Sequence, residues 1–281
     1  MSNITIVTAF FDIGRGNIQR QNAPSYMSRT TDTYFEYFAN LAQLENEMVI
    51  FTSLEYVEKI KALRQGKPTR VVAFDFHNRL HYLRNKIANI QQDKQFIGQI
   101  HPDLRNNIEY WSADYVLVTN LKTYFINKAI KEKLAKNNLV AWVDFGYVRS
   151  QDTLNNVRNW RYDFNNNKIN FFSIVKNSAP KSWQDVLDCI FQNKVYIIGG
   201  VTVANQQAWQ AFLKLLFDQQ KQLLKLNIVD DDQGLYMMCL YHQPELFQLN
   251  YLGKNQWFST FKKYDQTSNI SIWEKIKDRL I

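Results

Sequence analysis

The sequence predicts an α/β protein, a mostly parallel central sheet flanked by helices in a single domain. Three observations carry this expectation. Short apolar runs rich in β-branched and aromatic residues recur at 4–11, 48–52, 71–76 and 139–144, each of strand length. Longer amphipathic stretches stand between them at 31–44, 53–64 and 121–136, and strand–helix–strand alternation favours parallel strands covered on both faces. Hydrophobic residues fill 46% of 281 positions, with 19 Phe, 15 Tyr and 7 Trp, which supplies a large core and excludes a disordered chain. Nine Gly and five Pro are too few for a fibrous or linker-like one.

The elements follow in order. Residues 4–11 are apolar on both faces, as a buried strand requires. Tyr34, Phe35, Phe38, Leu41 and Ala42 then recur at helical spacing. After the strand 48–52, Ser53 opens a helix as the first residue of a capping box whose fourth position is Tyr56 and not Glu. The helix 121–136 leads into the strand 139–144. The second half is less regular, with strands at 169–175 and 194–198 and a long helix at 206–226 built on Trp209, Phe212, Leu213, Leu216 and Phe217. A helical stretch at 235–241 follows Asp230, Asp231 and Asp232. The polar stretch 155–170 contains Trp160, Tyr162 and Phe164, so it reads as an ordered connection. Neither repeats nor a domain boundary are visible.

Thirty-four Lys+Arg against 26 Asp+Glu leave a charge of +8. That surplus suits anionic partners such as a sugar nucleotide or an anionic membrane face, and it also serves solubility. The basic residues form no dense cluster and no helix-turn-helix, RNP or zinc pattern is present, so nucleic acid is not expected as a partner. Cys189 and Cys239 are 50 positions apart, form no metal pair and fit a reducing compartment. The N-terminus lacks a basic stretch followed by an apolar one, and the best apolar run, 195–204, contains two glycines. A cytoplasmic protein is expected, at most peripheral on the inner membrane.

Gly14-Arg15-Gly16 follows the first strand, but Gln19 stands where a dinucleotide fingerprint needs its third glycine and Pro24 intervenes before any helix. Asp12 and Arg15 at that strand's end can nevertheless approach a nucleotide. His77 and His81 have the spacing of a zinc protease, with Asn78 where its Glu belongs. In Ala141-Trp142-Val143-Asp144-Phe145-Gly146 an apolar strand ends in a carboxylate, with Arg149 beyond. Such a carboxylate faces the crevice where open α/β sheets bind ligands, and can hold a divalent cation or a sugar hydroxyl; the alternative is a turn-starting Asp. Asp230-Asp231-Asp232-Gln233 sets three carboxylates side by side. Their repulsion calls for a cation, a hydroxyl donor or a helix N-terminus, and one of them can act as general base, an effect of about 10²–10⁴-fold. Capping alone needs only one Asp. Gly199 and Gly200 end the run 194–198 either as a close-approach site or as a simple turn.

Taken together, TIVTAFFDIGR at 5–15, VIFTS at 49–53, TNLKTYFINKAI at 119–130, AWVDFGYVR at 141–149, IIGGVTVAN at 197–205 and DDDQGLYMMCLY at 230–241 resemble the bacterial HtrL/YibB family, over essentially the whole chain. That family is found with lipopolysaccharide-core and surface-glycan genes and looks like glycosyltransferases of the GT-A fold. The resemblance implies one GT-A-like domain over 1–281, with 1–150 as the nucleotide-sugar half and 151–281 as the acceptor half. It implies transfer from a nucleotide-sugar donor, UDP-hexose by default, to a lipopolysaccharide-core, O-antigen or capsular glycan. Asp144 takes the place of the first carboxylate of the Asp-x-Asp motif and is the implied metal ligand, while Gly146 stands where the second would be. A Mn²⁺ or Mg²⁺ cofactor is therefore expected to draw on Asp231 or Asp232. The implied donor-site residues are Thr8, Asp12, Arg15, Asn120, Lys122, Asp144, Gly146, Arg149, Gly199, Gly200 and Gln233, with Arg15 and Lys122 on the diphosphate; Asp231 and Asp232 are the implied catalytic acids. The rival reading is a non-catalytic glycan- or membrane-binding protein on the same fold, which the missing second carboxylate favours.

Overall fold

A computed structural model describes residues 3–18, 27–176 and 178–266. Gln19 and Pro24, which break the dinucleotide motif, lie outside them. The described chain builds one seven-stranded sheet in the order β3-β2-β1-β4-β6-β5-β7. The strands are β1 Ile4–Phe10, β2 Met48–Thr52, β3 Thr69–Ala73, β4 Leu139–Val143, β5 Ile169–Ser173, β6 Ile197–Asn205 and β7 Phe247–Tyr251. β1 pairs in parallel with β2 and β4, β2 with β3, and β5 with β7. β6 alone is reversed, antiparallel to both β4 and β5. The α/β expectation of a mostly parallel sheet holds.

Strand periodicity sorts side chains into two layers. Val7, Val49, Phe51, Val140 and Trp142 face a core shared with the helices Lys122–Lys131, Gln206–Lys225 and Asp232–His242. Their neighbours Ile6, Met48, Ile50, Ala141 and Val143 face the helix Thr31–Leu41 and the buried Trp160 and Phe164. The connection 155–170 is ordered by Trp160, fully buried, whose indole N–H donates to the Tyr264 carbonyl at 2.7 Å while its backbone N–H donates to Asn46 Oδ1 at 2.7 Å.

Several elements differ from the sequence expectation. The third strand ends at Ala73 because Asp75 caps a following turn of helix, its carboxylate accepting from the Asn78 N–H, so Phe74 and Phe76 are core residues of that turn. The four α-helices between Phe76 and Asn120 are not among the elements the sequence predicts. Nor is β7, which lies at the sheet's edge with four of its five residues only partly buried or exposed. β6 does not stop at Ile198: it continues through Gly199 and Gly200 to Asn205. The paired glycines are therefore neither a turn nor left-handed, unlike Gly14, whose φ of 75° lets β1 turn into the loop that carries Arg15.

Candidate functional site

The carboxyl ends of β1 and β4, the start of β6 and the start of the helix Asp232–His242 meet at one edge of the sheet, around a cavity of about 370 Å³. Its wall contains Asp12, Arg15, Lys122, Asp144, Gly146, Arg149, Gly199, Gly200, Asp231, Asp232 and Gln233. Of the implied donor-site and catalytic residues, only Thr8 and Asn120 are missing from it. Thr8 is buried inside β1, opposite Ile50. Asn120 is a scaffold residue, its Nδ2 donating to the Asp230 carbonyl at 3.1 Å. Arg29, Glu109, Tyr34 and Tyr115 also line the cavity; Tyr34 reads in the sequence only as part of a helix's apolar face, and the other three stand in no motif.

One side of the cavity is cationic. Arg15 donates from Nε to the Met27 carbonyl at 3.0 Å and from a terminal nitrogen to the Tyr34 hydroxyl at 2.6 Å. Arg149 lies 4.2 Å over the Phe258 ring. Partial burial, then the charges of Arg29 and Arg15, hold the Arg149 guanidinium below its ordinary pKa. Among the described residues none of these three arginines is in an ion pair. Arg149 thus stands in the repulsive field of Arg29 and Arg15, with no carboxylate at ion-pair distance from it among the described residues.

The other side is acidic, and the three consecutive Asp have three different tasks. Asp230 is buried, its carboxylate packed where a side chain at Gly234 would otherwise stand. Asp231 caps the helix Asp232–His242, accepting from the Gln233 N–H at 2.9 Å. Asp232 is ion-paired with Lys122 at 2.8 Å, and the same ammonium reaches Asp144 Oδ1 at 2.9 Å and the Gly199 carbonyl at 2.9 Å. Trp142 Nε1 also donates to Asp144 Oδ1, at 2.6 Å. Burial opposes the charge on Lys122, but the flanking Asp144 and Asp232 carboxylates outweigh it and raise its pKa. Burial and the neighbouring acids push Asp230 and Asp231 well above the carboxylate range. Two of the Lys122 N–H groups donate to protein acceptors, Asp232 Oδ2 and the Gly199 carbonyl, and the ammonium is ion-paired with Asp144 as well.

The glycines are explained by what a Cβ would meet. At Gly199 it would fall 1.9 Å from Asp232 Oδ2, so only glycine lets that carboxylate reach Lys122. At Gly146 it would stand 3.0 Å from Tyr34 Cδ1, so any side chain in the place of a second Asp-x-Asp carboxylate would have to push the Tyr34 ring aside by a few tenths of an ångström. Among the described residues no three His, Cys, Asp or Glu side chains gather as a metal would need. The residues present do not fit a bound divalent ion, because Lys122 fills the space between the two carboxylates.

Glu109 adds a titratable group that the sequence hid. It is buried, its Oε1 has no hydrogen-bond partner, and burial pushes its carboxyl up to about 6. Its folded pKa thus lies above its unfolded one, and ionisation as the pH rises through that window destabilises the fold. Glu109→Gln is expected to add on the order of 2 kcal/mol of stability above about pH 6. The gain should fade as the pH falls from about 6 through 4.5, below which the wild-type residue is protonated in both states. Urea midpoints of both proteins across that range check this, and equal midpoints at pH 7.5 would contradict it.

The fold and the cavity define an α/β protein with a ligand pocket at the carboxyl edge of a mostly parallel sheet, cationic on one side and acidic on the other. Residues 2–266 match the family described as "Bacterial protein of unknown function (HtrL_YibB)". The chain is 46% identical over 262 residues to Protein HtrL of Escherichia coli (strain K12), covering 93% of this chain and 92% of that one. The chain belongs to the HtrL/YibB family. Among the described residues no helix is long and apolar enough to cross a membrane.

Proposed function

We propose that the protein is a glycosyltransferase, moving a sugar from a nucleoside-diphosphate donor, UDP-hexose by preference, to a hydroxyl of a surface glycan such as lipopolysaccharide core, O-antigen or capsule. The observation that carries this reading is the pairing, across one cavity, of three arginines lacking carboxylate partners with a set of desolvated carboxylates. In transfer, the bond from the anomeric carbon to the diphosphate breaks and negative charge develops on the leaving group. Arg15, Arg29 and Arg149 are placed to stabilise that charge without reorganising. The acceptor oxygen forms the new bond and gives up its proton. Asp231, half-buried and with a raised pKa, is suited to take it if the reaction inverts and to orient the hydroxyl if it retains. The +8 charge suits both an anionic donor and attachment to the anionic inner-membrane face where lipid-linked acceptors sit.

A thermal-shift screen with UDP, GDP, CMP and their common sugars tests the reading. A ligand at 100 times its Kd adds about 2.7 kcal/mol, so one nucleotide class should stand out. With that donor, Asp231→Asn is expected to keep the shift while turnover falls by about 10²–10⁴-fold. No shift with any nucleotide, beside a shift with glycan alone, would favour the non-catalytic binding reading.

A further inference from the structure

We propose that Lys122 is the resident cation of this site, its ammonium standing between Asp144 and Asp232 in the place of a divalent ion, so that the pocket works without metal. The ammonium donates to Asp232 Oδ2 at 2.8 Å and to the Gly199 carbonyl at 2.9 Å, and stands 2.9 Å from Asp144 Oδ1 as an ion pair. Metals are held by such oxygens too, but only when the space between them is open. Here the Lys122 side chain enters it from the protein interior, only 6% exposed, and the helix Lys122–Lys131 that begins at this residue fixes its origin.

Two further features accord with this. The Tyr34 ring stands 3.0 Å from where a Cβ at Gly146 would be, crowding any second carboxylate there. The Trp142 indole N–H donates to Asp144 Oδ1, the same oxygen that faces the Lys122 ammonium. The charge balance is consistent. Two carboxylates and one ammonium leave a single negative charge, and the charge that a metal would offer a diphosphate is offered by Arg15, Arg29 and Arg149. That last division of labour rests on the transferase reading; the filling of the cation place does not.

The test is a titration of the purified protein with Mn²⁺, following the free ion by its electron paramagnetic resonance signal, beside melting temperatures in EDTA and in Mn²⁺. Wild type is expected to leave Mn²⁺ free at this site, to melt at the same temperature in both, and to keep any UDP shift in EDTA. Lys122→Ala empties the cation place, so that variant is expected to bind Mn²⁺ and to melt higher with it; adding Asp144→Asn should abolish both effects. One Mn²⁺ bound per wild-type chain and lost in Asp144→Asn would overturn the proposal, as would a folded Lys122→Ala that leaves Mn²⁺ free. If Lys122→Ala does not fold, the wild-type titration alone decides. A wild type that ignores both UDP and Mn²⁺ would sink the transferase reading while this inference stands.

Discussion

Gly199→Ala is expected to lower folding stability by about 3–5 kcal/mol and to dismantle the acidic side of the pocket. The added methyl would lie 1.9 Å from Asp232 Oδ2 and 2.6 Å from its Cγ, so the carboxylate must leave. Lys122 and Asp232 are 6% and 4% exposed, and separating a buried pair leaves charges uncompensated away from water, which costs about that much. Gly199 sits in the bulge of β6 between Ile198 and Thr202, which pair with β5, and beside Gly200, whose carbonyl accepts from the Asp144 N–H, so the strand is tethered on both sides of the added methyl. Urea unfolding measures the loss. The cause is isolated by a double-mutant cycle: in an Asp232→Ala background the methyl meets no carboxylate, and Gly199→Ala should become nearly neutral. Strictly additive effects would show that the glycine serves another purpose.

Removing single arginines from the cationic side is expected to weaken nucleoside-diphosphate binding by about tenfold to a hundredfold each. Hydrogen bonds to charged groups contribute about 1.5–3 kcal/mol, and 1.4 kcal/mol is a factor of ten. Arg15→Met, Arg29→Met and Arg149→Met should all lose affinity for UDP in calorimetric titration while leaving uridine binding alone. Arg149→Met relieves the repulsion from Arg29 and Arg15, whereas Arg15→Met gives up the bonds to the Met27 carbonyl and the Tyr34 hydroxyl, so urea midpoints of the ligand-free variants accompany the titrations. Undiminished UDP affinity in all three variants would remove the arginines from the donor site.

The sheet was legible where burial is uniform. β1, β2 and β4 are apolar on both faces, and an uninterrupted β-branched or aromatic run has no other easy reading. β7 and the helices between Phe76 and Asn120 were not, because their apolar residues are sparse and meet their partners only in three dimensions. The site was legible at strand ends: Asp12, Asp144 and the Asp230–232 run each follow an apolar segment, where open sheets bind ligands. Its charges were harder. Nothing in the sequence announces that Lys122 meets Asp232 across 110 positions, that Arg29 joins Arg15 and Arg149, or that Glu109 is buried without a partner for Oε1. At Gly199 the sequence suggests close approach of a ligand or a turn, and the group that lies against it is the protein's own Asp232 carboxylate.

The reversed strand β6 has a consequence for how the chain can be divided. It comes from the second half of the sequence yet lies against β4 from the first, and the cavity wall alternates between segments as distant as Asp12 and Phe258. A fragment ending near residue 150 would leave the edge of β4 bare and the pocket without Gly199, Asp231 or Phe258. Ligand occupancy therefore reports on the whole chain at once. Binding would be lost in a single step with global unfolding, and complementation by two separately expressed halves would first have to rebuild a shared sheet.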